Sequence, residues 1–101
     1  MRVFFKKTAI DDIQASESYL AENLHNRAAA KKLTATIFHA AMLLADNPYM
    51  GAALAGKHPV ETDLRFVIVS KHLIFYRVVN DEHIEVTRVL DGRQDYMAIL
   101  F

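Results

Sequence analysis

The sequence predicts an α+β fold of order β-α-α-β-β-β: a helical hairpin packed on a small, mainly antiparallel sheet. Three observations carry that prediction. Two stretches in the first half place apolar residues at helical spacing and are joined by a very short connection. From Asp63 onward the period changes, and three apolar β-prone runs follow one another, separated by short polar pairs. A further β-prone run precedes the helices. The chain has 101 residues, 52% of them hydrophobic, and no cysteine. That is enough apolar material for one domain, taken as residues 1–101, to fold without disulfides.

Arg2-Val3-Phe4-Phe5-Lys6 reads as the first strand. Thr8 reads as a helix N-cap, with Asp11 three residues on in an imperfect capping box and Asp11 and Asp12 suited to the positive end of the helix dipole. Ile10, Ile13, Glu17, Leu20 and Leu24 mark the helical stripe, so this helix is expected from Thr8 to Asn23. Asn23-Leu24-His25-Asn26 is a tight turn in which Asn26 caps a second helix. Ala30, Leu33, Ile37, Ala41 and Leu44 lie on one face of that helix, and Phe38, Met42 and Ala45 widen the stripe. Asn47-Pro48 ends it, because the residue before proline avoids the helical region. Helices joined so closely must pack antiparallel.

Residues 47–61 hold both prolines and two of the three glycines, and form the main loop, with room for a short irregular helix at Ala52, Ala53 and Ala55. The meander strands are Leu64–Val69, Leu73–Val79 and Ile84–Leu90, joined at Ser70-Lys71 and Asn80-Asp81 and ended by Asp91-Gly92. A two-residue turn at Ser70-Lys71 pairs Val69 with His72 and sets Arg65 opposite Tyr76. Val67, Val69, Ile74 and Val78 cannot share a sheet face with Phe66, Ile68, Phe75 and Val79, so a second face, if open, needs a cover. Tyr96, Ile99, Leu100 and Phe101 form a last short helix that docks on the core or on a partner.

Formal net charge is 0. A domain that grips phosphate backbones is usually basic, so the composition argues against that role. The longest apolar run, Ala40 to Ala45, is far short of the roughly 20 residues of a membrane span. No segment reads as a targeting signal, and the expected location is the cytoplasm. The glycines are not clustered into a phosphate loop, the histidines lack ligand spacing, and no metal or cofactor is expected. What stands out is arginine within strands: Arg65, Arg77 and Arg88 interrupt one apolar run each, with Arg93 after the last. With Tyr76 and a nearby histidine such a cluster could bind an anion or stabilise a phosphorane-like transition state. Asp63, Glu85, Asp91 and Asp95 are near enough in sequence to hold the same arginines as structural ion pairs.

Over nearly its whole length the chain resembles the RelE/ParE toxin family of bacterial type II toxin–antitoxin modules. The resemblance rests on Thr8-Ala9-Ile10-Asp11-Asp12-Ile13, Asn47-Pro48-Tyr49-Met50-Gly51, Asp63-Leu64-Arg65, the Leu73-Ile74-Phe75-Tyr76-Arg77-Val78 strand, and the segment from Ile84 to Asp95. It implies a toxin of the plasmid-stabilisation type, wrapped and neutralised by a small cognate antitoxin in a hetero-oligomer. ParE-like members poison DNA gyrase; RelE-like members cut mRNA in the ribosome. The neutral charge favours the ParE-like branch, as does Asp91, where many relatives carry His. On the RelE-like alternative, Arg65, Tyr76, Arg77 and Arg93 are the catalytic candidates. Arg88, Arg93, Tyr96, Leu100 and Phe101 are the candidates for contact with target or antitoxin.

Overall fold

The computed structural model describes residues Met1–Phe101. Strand β1 (Arg2–Phe5) leads into helix α1 (Lys7–Ser18), which widens into a π-helical turn over Tyr19–Asn23 before helix α2 (Arg27–Leu43). Strand β2 (Ala52–Ala53) and a 3-10 turn (Leu54–Gly56) precede β3 (Arg65–Val69), β4 (His72–Val78), β5 (His83–Asp91) and helix α3 (Tyr96–Leu100). The five strands make one sheet in the order β1-β5-β4-β3-β2. β1 runs parallel to β5, and the other neighbours are antiparallel. The element order is the expected one, with the two-residue β2 added where a short irregular helix alone was anticipated.

Local chemistry sets several of these elements. The Asn26 side chain accepts a hydrogen bond from the Ala29 N–H at 3.0 Å and so starts α2. Ala30, Leu33, Ile37, Ala41 and Leu44 are all buried along one face of that helix. Phe38 packs on Phe5, with ring centroids 4.9 Å apart, whereas Met42, farther round the same flank, stays 48% exposed, so the stripe widens to Phe38 but not to Met42. Ser70 and Lys71 both adopt left-handed φ, 48° and 63°. That twist matches the flanking strands, and it gives the two-residue hairpin and the pairs Val69↔His72 and Arg65↔Tyr76.

Helix α1 starts differently from expectation. Its N-cap is Lys6, which provides no side-chain cap. Thr8 lies inside the first turn and donates its hydroxyl to the Thr87 carbonyl at 2.8 Å. Asp11 pairs with Lys7 rather than closing a capping box. Asp12 turns to β5, where it accepts from the Val89 N–H at 2.9 Å. Strand β1 reaches only as far as Val86, so α1 takes over beyond it and satisfies backbone groups that β5 would otherwise leave unpaired.

β5 carries a bulge. Phe75 lies opposite Arg88 and Tyr76 opposite Val86, which leaves Thr87 as the extra residue. Its hydroxyl donates to the Phe75 carbonyl at 3.2 Å. The bulge resets the alternation: Val86 and Val89 both face the helices, and Arg88 goes to the opposite side.

The core therefore has two parts. Ala9, Ile13, Leu33, Ile37, Ala41 and Leu44 of the helical hairpin pack on Ile74, Tyr76, Ile84, Val86 and Val89. On the other face, Leu54, Leu64, Phe66, Leu73, Phe75 and Leu90 pack together, covered by Val60, Tyr96, Met97 and Leu100. The second face is thus closed by the chain itself, through the loop before β3 and through α3. Burying a Phe or Leu contributes roughly 1.5–3 kcal/mol, so so many apolar side chains on that face would not stay uncovered. No helix is long and apolar enough to cross a membrane.

Candidate functional site

A groove of about 740 Å³ runs between α1 and the end of the sheet where the β3–β4 turn and β5 finish. Leu20, Leu24, Leu33 and Leu90 give it apolar walls; Asp12, Lys71, Asp91 and Arg93 give it charged edges. His72, only 7% exposed, lies at one end. Its Nδ1 donates to the Ser70 carbonyl at 3.0 Å, and its Nε2 is hydrogen-bonded to the Ser16 hydroxyl at 3.3 Å. These bonds tie the hairpin turn to α1. Tyr19 and Leu24 remain half exposed on the helical side. Such a groove suits an amphipathic segment of a partner.

The strand arginines do not converge. Arg65 lies across from Tyr76, on the helix-facing side. Its Nε donates to the Gly51 carbonyl at 3.0 Å and its Nη2 to the Tyr49 carbonyl at 3.2 Å, with the guanidinium over the Tyr49 ring. Tyr76 is completely buried, and its hydroxyl accepts from the Gly51 N–H at 2.9 Å. A Cβ at Gly51 would stand 2.6 Å from both the Phe66 carbonyl and the Tyr76 hydroxyl, so only glycine fits this clasp. Arg77, one residue on, points to the opposite face and pairs with Asp63 at 3.1 Å. Of the four catalytic candidates, Arg65 and Tyr76 therefore share one junction, and Arg77 and Arg93 lie elsewhere.

Arg88 grips Asp12 with two bonds of 2.8 Å, and this hydrogen-bonded pairing raises the Arg88 pKa further. The ion pair links residues 76 apart in sequence, which no local pattern announces. Arg93 folds back on Asp91 through bonds of 3.1 and 3.0 Å. Hydrogen bonds from the Arg93 side chain, then from its backbone N–H, lower the Asp91 pKa to about 2. Arg93 itself is 86% exposed and lines the groove, so it remains free to meet a partner. Tyr96 and Leu100 pack on the second core cluster, whereas Phe101 is 59% exposed. Tyr96 is further held by His58, whose Nε2 stands 3.0 Å from the phenol oxygen.

Sequence reasoning missed Thr8 as a tether, Asp12 as the partner of Arg88, Gly51 as the centre of the clasp, and His72 with Ser16. Only Gly51 carried a signal, as one of just three glycines, closing the run Asn47-Pro48-Tyr49-Met50-Gly51.

Residues 3–96 match the family described as ParE toxin of type II toxin–antitoxin system, parDE. The fold is similar to that of a chain in the chromosomal ParDE toxin–antitoxin system from P. aeruginosa, at TM-score 0.72 and 19% identity over 90% of this chain and 95% of that one. A YafQ mutant from E. coli aligns more loosely, at TM-score 0.47 and 16% identity over 99% and 97% of the two chains. No curated protein matches the sequence.

Proposed function

The chain belongs to the ParE toxin family of type II toxin–antitoxin systems, and on that premise we propose that it poisons DNA gyrase and is held inactive by a cognate antitoxin. The observation that carries the choice of target is the dispersal of the residues a nuclease would need. A transition-state site requires donors converging on one reacting phosphate. Here Arg65 and Arg77 point to opposite sheet faces, and the Tyr76 hydroxyl is buried on the Gly51 N–H. The formal charge of 0 adds support, because work on a ribosomal phosphate surface favours a basic protein. Asp91, held ionised by Arg93, would also repel a phosphate placed beside it. On this reading the chain performs no bond-breaking step of its own; it binds the target and stalls it.

The antitoxin is proposed to fold on binding, as a helix and an added strand. The groove along α1 fits the helix. For the strand, β2 pairs only with Arg65 and Phe66, so the edge of β3 from Val67 to Val69 is unpaired, with Ile68 65% exposed.

The test is direct. Purified chain with gyrase, ATP and DNA should trap a cleaved complex. Expression without antitoxin should give DNA breaks and filamentous cells while bulk translation initially continues. Rapid translation arrest with mRNA cut at fixed codon positions, and no cleaved gyrase complex, would replace this reading with that of a ribosome-dependent mRNA endonuclease.

A further inference from the structure

On the sheet face covered by α3 there is a second, smaller pocket of about 210 Å³. Its lining brings together Lys6, Arg77 and Arg88, the hydroxyl residues Thr8 and Thr87, and an apolar rim that includes Leu100. We propose that this pocket is a receptor for one carboxylate, that of an Asp or Glu side chain on a partner polypeptide.

Four observations carry the inference. First, Arg77 uses one Nη on Asp63, while its Nε is buried and has no hydrogen-bond acceptor. A buried N–H of a guanidinium calls for one. Second, Arg88 spends Nε and Nη2 on Asp12 and Lys6 forms no ion pair, so both cations keep donors for a further anion. Third, α1 begins at the pocket, since Lys6 and Thr8 both line it. That helix has no side-chain cap and no acidic residue in its first turn, so its N-terminal N–H groups add positive potential.

Fourth, the balance of charge selects the ligand. Of the three cations of the lining, Arg77 pairs with Asp63 and Arg88 with Asp12, while Lys6 has no ion-pair partner; Glu85, opposite Arg77 in the sheet, makes no ion pair either. The uncommitted positive groups are then the Lys6 ammonium and the helix end, with the Glu85 carboxylate near by, which suits a singly charged carboxylate better than a phosphate dianion. The apolar rim of Leu64, Ile99 and Leu100 suits the methylenes that carry such a carboxylate. The inference is independent of which target the toxin poisons.

The test uses the full chain, freed from antitoxin, and a glutamate capped at both ends as the probe, with inorganic phosphate as the comparison. NMR follows the Arg77 Nε–H resonance and the backbone amides of Lys7, Thr8 and Ala9. Capped glutamate should shift these signals saturably, and Lys6→Gln or Arg77→Lys should weaken the binding at least tenfold while the remaining spectrum is kept. Lys6 is exposed, so its variant tests the site without risk to the fold. No saturable shift, shifts that persist in both variants, or displacement of the probe by phosphate would each overturn the assignment. A failure of the gyrase assay would leave these signals unchanged, so the two readings stand or fall separately.

Discussion

Tyr76→Phe separates a structural tyrosine from a catalytic one. The substitution keeps the ring, which is fully buried among the helix-facing core residues, and removes only the hydroxyl. What is lost is the acceptor for the Gly51 N–H at 2.9 Å. A buried donor left without a partner costs about 1–3 kcal/mol. The lower half of that range applies here, because the phenol oxygen no longer has to be desolvated and Arg65 still holds the Gly51 and Tyr49 carbonyls. A loss of about 1–2 kcal/mol in a chain of this size lowers the thermal midpoint by roughly 5–12 °C. Urea unfolding of the purified variant should show the same loss through its midpoint with an unchanged slope. Toxicity, scaled to the amount of folded protein, should be kept. A variant with the parent's midpoint and about a hundredfold less toxicity would refute the structural reading and restore Tyr76 as a catalytic group.

Gly51→Ala should be more damaging than Tyr76→Phe, by about 3 kcal/mol in urea unfolding, since the new methyl group meets the Phe66 backbone carbonyl as well as a buried ring. Asp12→Ala should cost about 2–3 kcal/mol, because it strands Arg88 and the Val89 N–H together; Asp11→Ala, which breaks only an exposed pair with Lys7, should fall within about 0.5 kcal/mol of the parent. Deleting residues 96–101 uncovers Phe75, whose ring centroid lies 5.4 Å from that of Tyr96, and should lower both solubility and the thermal midpoint. The Asp91 pKa is lowered from 3.8 to about 2, so its contribution to stability is complete above pH 3.8 and is lost as pH falls through 2. Asp91→Asn should therefore differ from the parent by a constant amount above pH 4 and converge with it toward pH 2. Arg93 is exposed, so solvent screening keeps that difference small.

Features governed by short-range physics are legible in the residues alone. Asn26 caps α2 because its own side chain reaches a backbone N–H three residues on. The period of 3.6 put Ala30, Leu33, Ile37 and Ala41 on one face, and they are buried there. The length of the Ser70-Lys71 turn fixed the register of β3 on β4, down to Arg65 opposite Tyr76. The remaining features depend on groups that lie far apart along the chain and meet only on folding. Thr8 reads as a cap in its own neighbourhood, but the Thr87 carbonyl, 79 residues away, takes its hydroxyl. Asp12 suits a helix dipole locally, yet a guanidinium bonded at 2.8 Å outweighs an effect of a few tenths of a kcal/mol. Strict alternation would have placed Arg88 in the core beside Ile84 and Val86; the extra residue at Thr87 turns it to the other face, and nothing in the run Glu85-Val86-Thr87-Arg88 marks that bulge. The candidate site followed the same division: arginines in strands were legible from the sequence, but which face each occupies, and which carboxylate each holds, depended on partners that only the folded chain brings within reach.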